Sequence, residues 1–307
     1  ETSLKRFKKI RIALALFALA LFLALPSPAF CRLRVVALIF PIYDWAREVG
    51  GERVDVTLLL PGGISPHAYE PRPRDVRKLS QADIFLRMGL GLDAWSEKLV
   101  TATANRELLV LTLSDGMTPL RIPKILGSRE GGEPHEKGDD PHMWLDPLLA
   151  RRMVARMAEA FSRKDPEGRE YFSRRAHRYR EKLLELHREI EAGVGGFRTR
   201  SAVTFHSAFA YFFRRYGIEL AAVLEPFPGR EPSPRYLKGV VELMRGLRQK
   251  VIFAEPQLSP KVAEVLAKEL NGRVETLDPL GGPDVPGRAN YLDLMRYNLK
   301  VLKKALK

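Results

Sequence analysis

The chain has 307 residues, of which 45% are hydrophobic and 29% charged, and 51 Lys and Arg against 37 Asp and Glu give a net charge of +14. That apolar share sets it apart from disordered chains, and the length suits one large domain or two of ordinary size. Its single cysteine, Cys31, excludes an internal disulfide framework. The basic residues are scattered among acidic ones without a basic block, which argues for a solvated Arg-rich surface and no nucleic-acid partner.

In chain order, Lys5, Arg6, Lys8, Lys9 and Arg11 form a basic cluster, followed by an apolar run over 12–25 and then Pro26-Ser27-Pro28-Ala29. A charged start, a short apolar stretch and a small-residue end describe a secretory signal. The run falls short of the ~20 residues that span a bilayer. Residues 1–29 are therefore expected to be an export signal, with Ser27-x-Ala29 as the cleavage site. Lipidation at Cys31 and a retained anchor are the competing readings. Each places the protein outside the cytoplasm, in the periplasm or tethered to the outer face of the cytoplasmic membrane.

Beyond the signal, short β-branched runs alternate with helical stretches, the pattern of parallel α/β architecture. Strands are expected over 34–39, 53–60, 83–88 and 108–113, and again over 201–205, 219–224, 250–254 and 273–277. Helices are expected over 93–103, 207–216, 259–270 and 291–306. Between the halves, Phe172, Ala176, Tyr179, Leu183, Leu186 and Ile190 form an apolar stripe at the 3.6-residue period. It predicts one long helix over 167–192, stopped by Gly193, Gly195 and Gly196. The expected organisation is an N-terminal α/β lobe over 30–160, a connecting region over 161–196 and a C-terminal α/β lobe over 197–307.

Three histidines sit in distinctive strings, spaced evenly along the chain: Pro66-His67-Ala68-Tyr69-Glu70-Pro71, Asp140-Pro141-His142-Met143-Trp144-Leu145-Asp146-Pro147 and Phe205-His206-Ser207-Ala208-Phe209-Ala210-Tyr211. Asp278 follows in Leu277-Asp278-Pro279-Leu280-Gly281. Neutral imidazole is the commonest side-chain metal ligand, and three imidazoles with a carboxylate suit a four-coordinate divalent transition metal. All four residues fall in loops or strand-to-helix connections, the edge where open α/β sheets bind ligands. A lone loop histidine is usually only solvated; four such placements favour a metal site closed by bringing the two halves together. Asp278 is read as a ligand with the three histidines, and a cap for the turn that follows is its alternative. Glu255, at the end of the 250–254 run, is read as a hydrogen-bonding residue before a spare ligand. His177 and His187 are read as ordinary helix residues. Pro61-Gly62-Gly63 is no phosphate loop, because no Gly-Lys-Ser/Thr follows. Trp45, Trp95 and Trp144 are read as packing residues, with Tyr69 and Trp144 close enough to ligands to wall them off.

The chain resembles the substrate-binding proteins of ABC-type zinc and manganese importers over nearly all of its length after the signal. The resemblance rests on the stretch from Pro61-Gly62-Gly63 to Glu70-Pro71, on Ser80-Gln81-Ala82-Asp83 with Gly89-Leu90-Gly91-Leu92, and on the strings around His142 and His206. Tyr216-Gly217, Ala254-Glu255-Pro256-Gln257 and Leu277-Asp278-Pro279-Leu280 extend it. It implies two parallel-sheet α/β lobes joined by one long backbone helix, with metal held between them. It implies a non-enzymatic binding protein, expected to be monomeric, that hands metal to an ABC permease. His67, His142, His206 and Asp278 match the family's ligand positions.

Imidazole donors favour Zn2+, whereas Mn2+ prefers oxygen-rich sites. A histidine at 206, where manganese-type relatives carry a carboxylate, points the same way. The loop over 127–139 resembles a degenerate form of the zinc-type His-rich loop, with Glu130, Glu133, Glu136 and Asp139 but only His135. A manganese- or iron-specific member of the family is the alternative, and a surface adhesin or a zinc hydrolase lies further off. No His-Glu-x-x-His string supports the hydrolase. With three histidines near their ordinary pKa of ~6.5, metal affinity is expected to fall steeply below about pH 6. The long helix is expected to limit lobe opening.

Overall fold

Short runs of Val, Ile, Leu and Phe, largely buried on both faces in the central strands, build two parallel sheets. In the computed structural model, which describes residues 31–121, 139–226 and 232–307, the first sheet holds β1 (Leu33–Ala37), β2 (Val54–Leu58), β3 (Ile84–Arg87) and β4 (Leu109–Thr112). Its order is β2-β1-β3-β4, with every pair parallel. The second sheet holds β5 (Ser201–Thr204), β6 (Glu219–Val223), β7 (Val251–Ala254) and β8 (Arg273–Thr276), in the matching order β6-β5-β7-β8. All eight expected strands are present, with no end displaced by more than two residues. The export segment, residues 127–138 of the acidic loop and Glu231 lie outside the described residues.

The helices are α1 (Phe40–Gly50), α2 (Pro73–Ser80), α3 (Ser96–Ala102), α4 (Pro147–Lys164), α5 (Arg169–Gly195), α6 (Ala210–Arg215), α7 (Pro234–Gly246), α8 (Lys261–Glu269) and α9 (Tyr291–Leu306). The helix expected over 207–216 is split, since Ser207–Phe209 forms a 3-10 turn ahead of α6. No helix among the described residues is long and apolar enough to cross a membrane.

The connecting helix α5 has 27 residues, which at ~1.5 Å each makes it about 40 Å long. Its predicted stripe is buried throughout, with Val194 added, and packs against α4, α1 and α9. The larger of two hydrophobic clusters runs from β1 through this helix into α9, a second lies against the C-terminal sheet, and Leu33–Lys307 forms one compact unit.

The helix does not stop at Gly193. It continues to Gly195, with Gly196 as its cap. Gly193 is a packing residue instead: a Cβ there would lie 2.7 Å from Lys303 Cε and 3.0 Å from both Leu299 methyl carbons on α9.

Candidate metal centre

Each sheet changes direction between its two central strands, and in open α/β sheets ligands gather beyond the carboxyl ends there. In the second sheet those strands are β5 and β7. His206 emerges just past β5 and Glu255 just past β7. Glu255 Oε1 and Oε2 lie 3.2 and 3.4 Å from His206 Nδ1. Glu255 accepts a hydrogen bond from Nδ1–H, which leaves the lone pair of the neutral ring on Nε2. His206 Nε2 is buried and has no hydrogen-bond partner among the described residues.

The other two histidines come from the first lobe. His142 opens the turn Met143–Leu145, and Asp140 Oδ1 accepts from its Nδ1 at 2.7 Å and its backbone N–H at 2.9 Å. His67 sits on the turn Pro66–Ala68 after β2. Trp95 steadies that turn by donating its indole N–H to the Pro66 carbonyl at 3.1 Å. His67 Nε2 and His142 Nε2 are 3.1 Å apart. One ligand nitrogen from each of His67, His142 and His206 falls within 4.8 Å of the others. Tetrahedral zinc with Zn–N bonds of ~2.0–2.1 Å needs nitrogens ~3.4 Å apart, so small ring movements suffice. The cavity they share encloses about 20 Å³, room for one ion or water. Trp144 forms part of its wall. Tyr69 does not: its hydroxyl donates to Asp75 Oδ2 at 2.6 Å and its ring packs on Trp95.

Burial governs protonation here. It pushes His67 down to about 2, helped by charge on His142 and His206. His142 is held well below its ordinary value by burial and by His206. Burial works against charge on His206 as well, but the charge and hydrogen bond of Glu255, with Asp140, outweigh it and raise the group above 6.5. Asp140 is pushed up to about 7 by burial, against the opposing pull of the His142 N–H and of His206.

Asp278 is not part of the group whose ligand atoms lie within 4.8 Å of one another, and its carboxylate is engaged by other partners. Oδ1 accepts from Gln257 Nε2 and from the backbone N–H groups of Leu280 and Gly281, each at 3.0 Å. Oδ2 accepts from Arg288 Nη1 at 2.8 Å. The turn it caps closes through Gly281 at φ +67, where a Cβ would also meet the Arg288 carbonyl at 2.8 Å. His177 is exposed on α5 and His187 Nδ1 pairs with the Tyr216 hydroxyl, so neither joins the cluster.

Sequence reasoning passed over Asp140, Gln257 and Arg288. Asp140 carried a signal, lying two residues before a histidine in a string already singled out. Gln257 also lay in a string already singled out, two residues after Glu255, whereas Arg288 carried no signal, since it lies in a Gly- and Pro-rich loop with no motif around it.

Two parallel-sheet lobes on one connecting helix, with three imidazoles converging between them, define a two-lobed metal-binding protein. The chain belongs to the zinc-uptake complex component A periplasmic family, ZnuA, whose model matches residues 35–305. It is 31% identical to the zinc-binding lipoprotein AdcA of Streptococcus pneumoniae over 97% of this chain and 61% of that protein, so it spans about three-fifths of that relative's length. It is 28% identical to the high-affinity zinc uptake system protein ZnuA of Bacillus subtilis, over 90% of this chain and 88% of that one. A crystal structure of a zinc-bound ZnuA deletion mutant superposes with a TM-score of 0.80 at 26% identity, covering 90% of this chain and 99% of that one.

Proposed function

We propose that this protein captures Zn2+ between its lobes, outside the cytoplasmic membrane, and delivers it to the permease of an ABC importer. His67, His142 and His206 are its ligands. The observation that carries this reading is the convergence of three imidazole nitrogens, two of them backed by carboxylates on the opposite ring nitrogen. A carboxylate there fixes the tautomer and makes the ligating nitrogen more basic. Zn2+ is favoured over Mn2+ because every converging donor is nitrogen, and the general affinity order runs the same way.

Export and membrane association are in keeping with relatives described as a lipoprotein and as part of an uptake system. The protein acts as a monomeric carrier and not as an enzyme. Asp278 serves the site from behind, as a cap and ion-pair partner, and not as a direct ligand.

Isothermal titration with zinc tests the ligand set. His67→Ala, His142→Ala and His206→Ala should each lose more affinity than the roughly 10–100-fold that accompanies loss of a residue merely supporting a ligand. A variant that binds zinc as the wild type does removes that histidine from the site. Manganese binding more tightly than zinc at pH 7 would overturn the choice of metal.

A further inference from the structure

Three imidazoles leave a tetrahedral ion one further position, and two polar residues of the cavity wall, Ser65 and Gln257, have no role assigned so far. Gln257 lines the same cavity as the three histidines. Its Nε2 donates to Asp278 Oδ1 at 3.0 Å. An ionised carboxylate only accepts hydrogen bonds, so this contact settles which end of the amide is which. Oε1 must point away from Asp278. It is buried and has no hydrogen-bond partner among the described residues. A buried amide oxygen without a donor is costly, and its presence on a residue of the cavity wall shared by the three histidines calls for an explanation.

The amide is held this way round because Asp278 cannot turn. The Asp278 backbone is gripped at both ends by Asn298, whose Oδ1 accepts from its N–H at 2.8 Å and whose Nδ2 donates to its carbonyl at 2.7 Å. Arg288 holds Oδ2, and the Arg288 guanidinium is itself seated 4.6 Å over the Tyr297 ring. Swinging the carboxylate toward the histidines would break the Arg288 ion pair and the contacts to Gln257, Leu280 and Gly281 together.

We propose that Gln257 Oε1 faces the fourth coordination position and accepts a hydrogen bond from the water that completes the zinc shell, with Asp278 and Arg288 as the residues that position it. This rests on the three-histidine reading above. An amide oxygen brings no negative charge, so it withholds the anionic oxygen that Mn2+ favours. Gln257 thereby becomes a determinant of metal choice.

Cobalt(II) is the probe, because its visible absorption bands report coordination number and donor set. Gln257→Leu should shift those bands and weaken zinc binding about tenfold, with an unchanged melting temperature. Gln257→Met, which keeps the side chain's length without the amide, should do the same. Asp278→Asn frees the amide to flip. It should shift the cobalt bands in the wild-type background and leave them unmoved in Gln257→Leu, a non-additivity that a separate structural role for Asp278 would not produce. Wild-type cobalt bands and zinc affinity in both Gln257 variants would overturn the proposal. Zinc binding that survives His142→Ala would instead overturn the histidine reading, whatever the Gln257 variants do.

Discussion

His206 is pulled in two directions, and the outcome sets how pH controls metal binding. Burial disfavours its charge, but Glu255 and Asp140 reverse that and raise it above 6.5, while His67 and His142 are forced low and stay neutral. Among the three rings only His206 therefore carries a proton that competes with the metal, in place of the three expected from unperturbed histidines. Zinc affinity should decline tenfold per pH unit as pH falls through the raised His206 value. Titrations between pH 5 and 8 would show this slope, and a slope near three would mean that all three rings titrate normally. A second buried acid has a different task. Asp44 Oδ2 accepts from the Tyr291 N–H at 2.9 Å and the Tyr179 hydroxyl at 3.3 Å, tying α1 to α9 and α5. Burial pushes Asp44 from 3.8 up to about 6, with Glu48 adding to it while the Tyr291 N–H, the Tyr179 hydroxyl and Arg47 oppose it. A carboxyl raised on folding favours the native state most below its unfolded value, and that contribution is lost as pH rises through the folded value. The difference is about 3 kcal/mol. Asn keeps an oxygen for both donors, so Asp44→Asn should gain stability relative to wild type between pH 4 and 7, as followed by thermal melts. A pH-independent difference would show that Asp44 keeps its ordinary value in the fold. At this scale the coming together of the three histidines was legible because their strings are distinctive. The hydrogen bonds that Gln257 and Arg288 give Asp278 were not, because no motif or periodicity links those residues to it.

Strands and helices were legible because their apolar periods and turn residues act locally, as in β3 and in the stripe of α5. The end of α5 was misplaced because Gly193 answers to α9, more than a hundred residues away, and not to its own helix. Its role makes a specific prediction. Gly193→Leu should force Leu299 and Lys303 aside and cost about 1–3 kcal/mol in chemical denaturation. Gly195→Leu is the control, since a Cβ there meets nothing within 4 Å. Equal effects from the two substitutions would remove the packing explanation. The split of the 207–216 segment into a 3-10 turn and α6 was likewise hidden from the 3.6-residue pattern. The turn is needed where the chain leaves β5, so that His206 stays extended, at φ −129 and ψ 161, ahead of the first helical turn.

The two lobes are stitched together around the candidate centre. Trp144 Nε1 donates to the Pro279 carbonyl at 2.7 Å, the Tyr291 hydroxyl donates to the Trp144 carbonyl at 2.5 Å, and the Tyr211 hydroxyl donates to the Asp140 carbonyl at 2.9 Å. Arg215 pairs with Asp146, the N-cap of α4, at 2.7 Å. With α5 packed along a shared core, these ties oppose the wide hinge opening seen where flexible linkers join two lobes. Solution scattering with and without zinc should give nearly the same radius of gyration, and a clear contraction on binding would contradict a rigid frame. The two-lobe plan itself was readable from alternating strands and helices. The stitching was not, because it joins residues of opposite halves whose pairing only the fold reveals. The central claim is that three imidazoles from both lobes hold the metal, and X-ray absorption at the zinc edge of the loaded protein tests it most directly. The account predicts a four-coordinate shell with three imidazole nitrogens at ~2.0–2.1 Å and one oxygen. A shell with fewer than three imidazoles, or one dominated by oxygen, would contradict it.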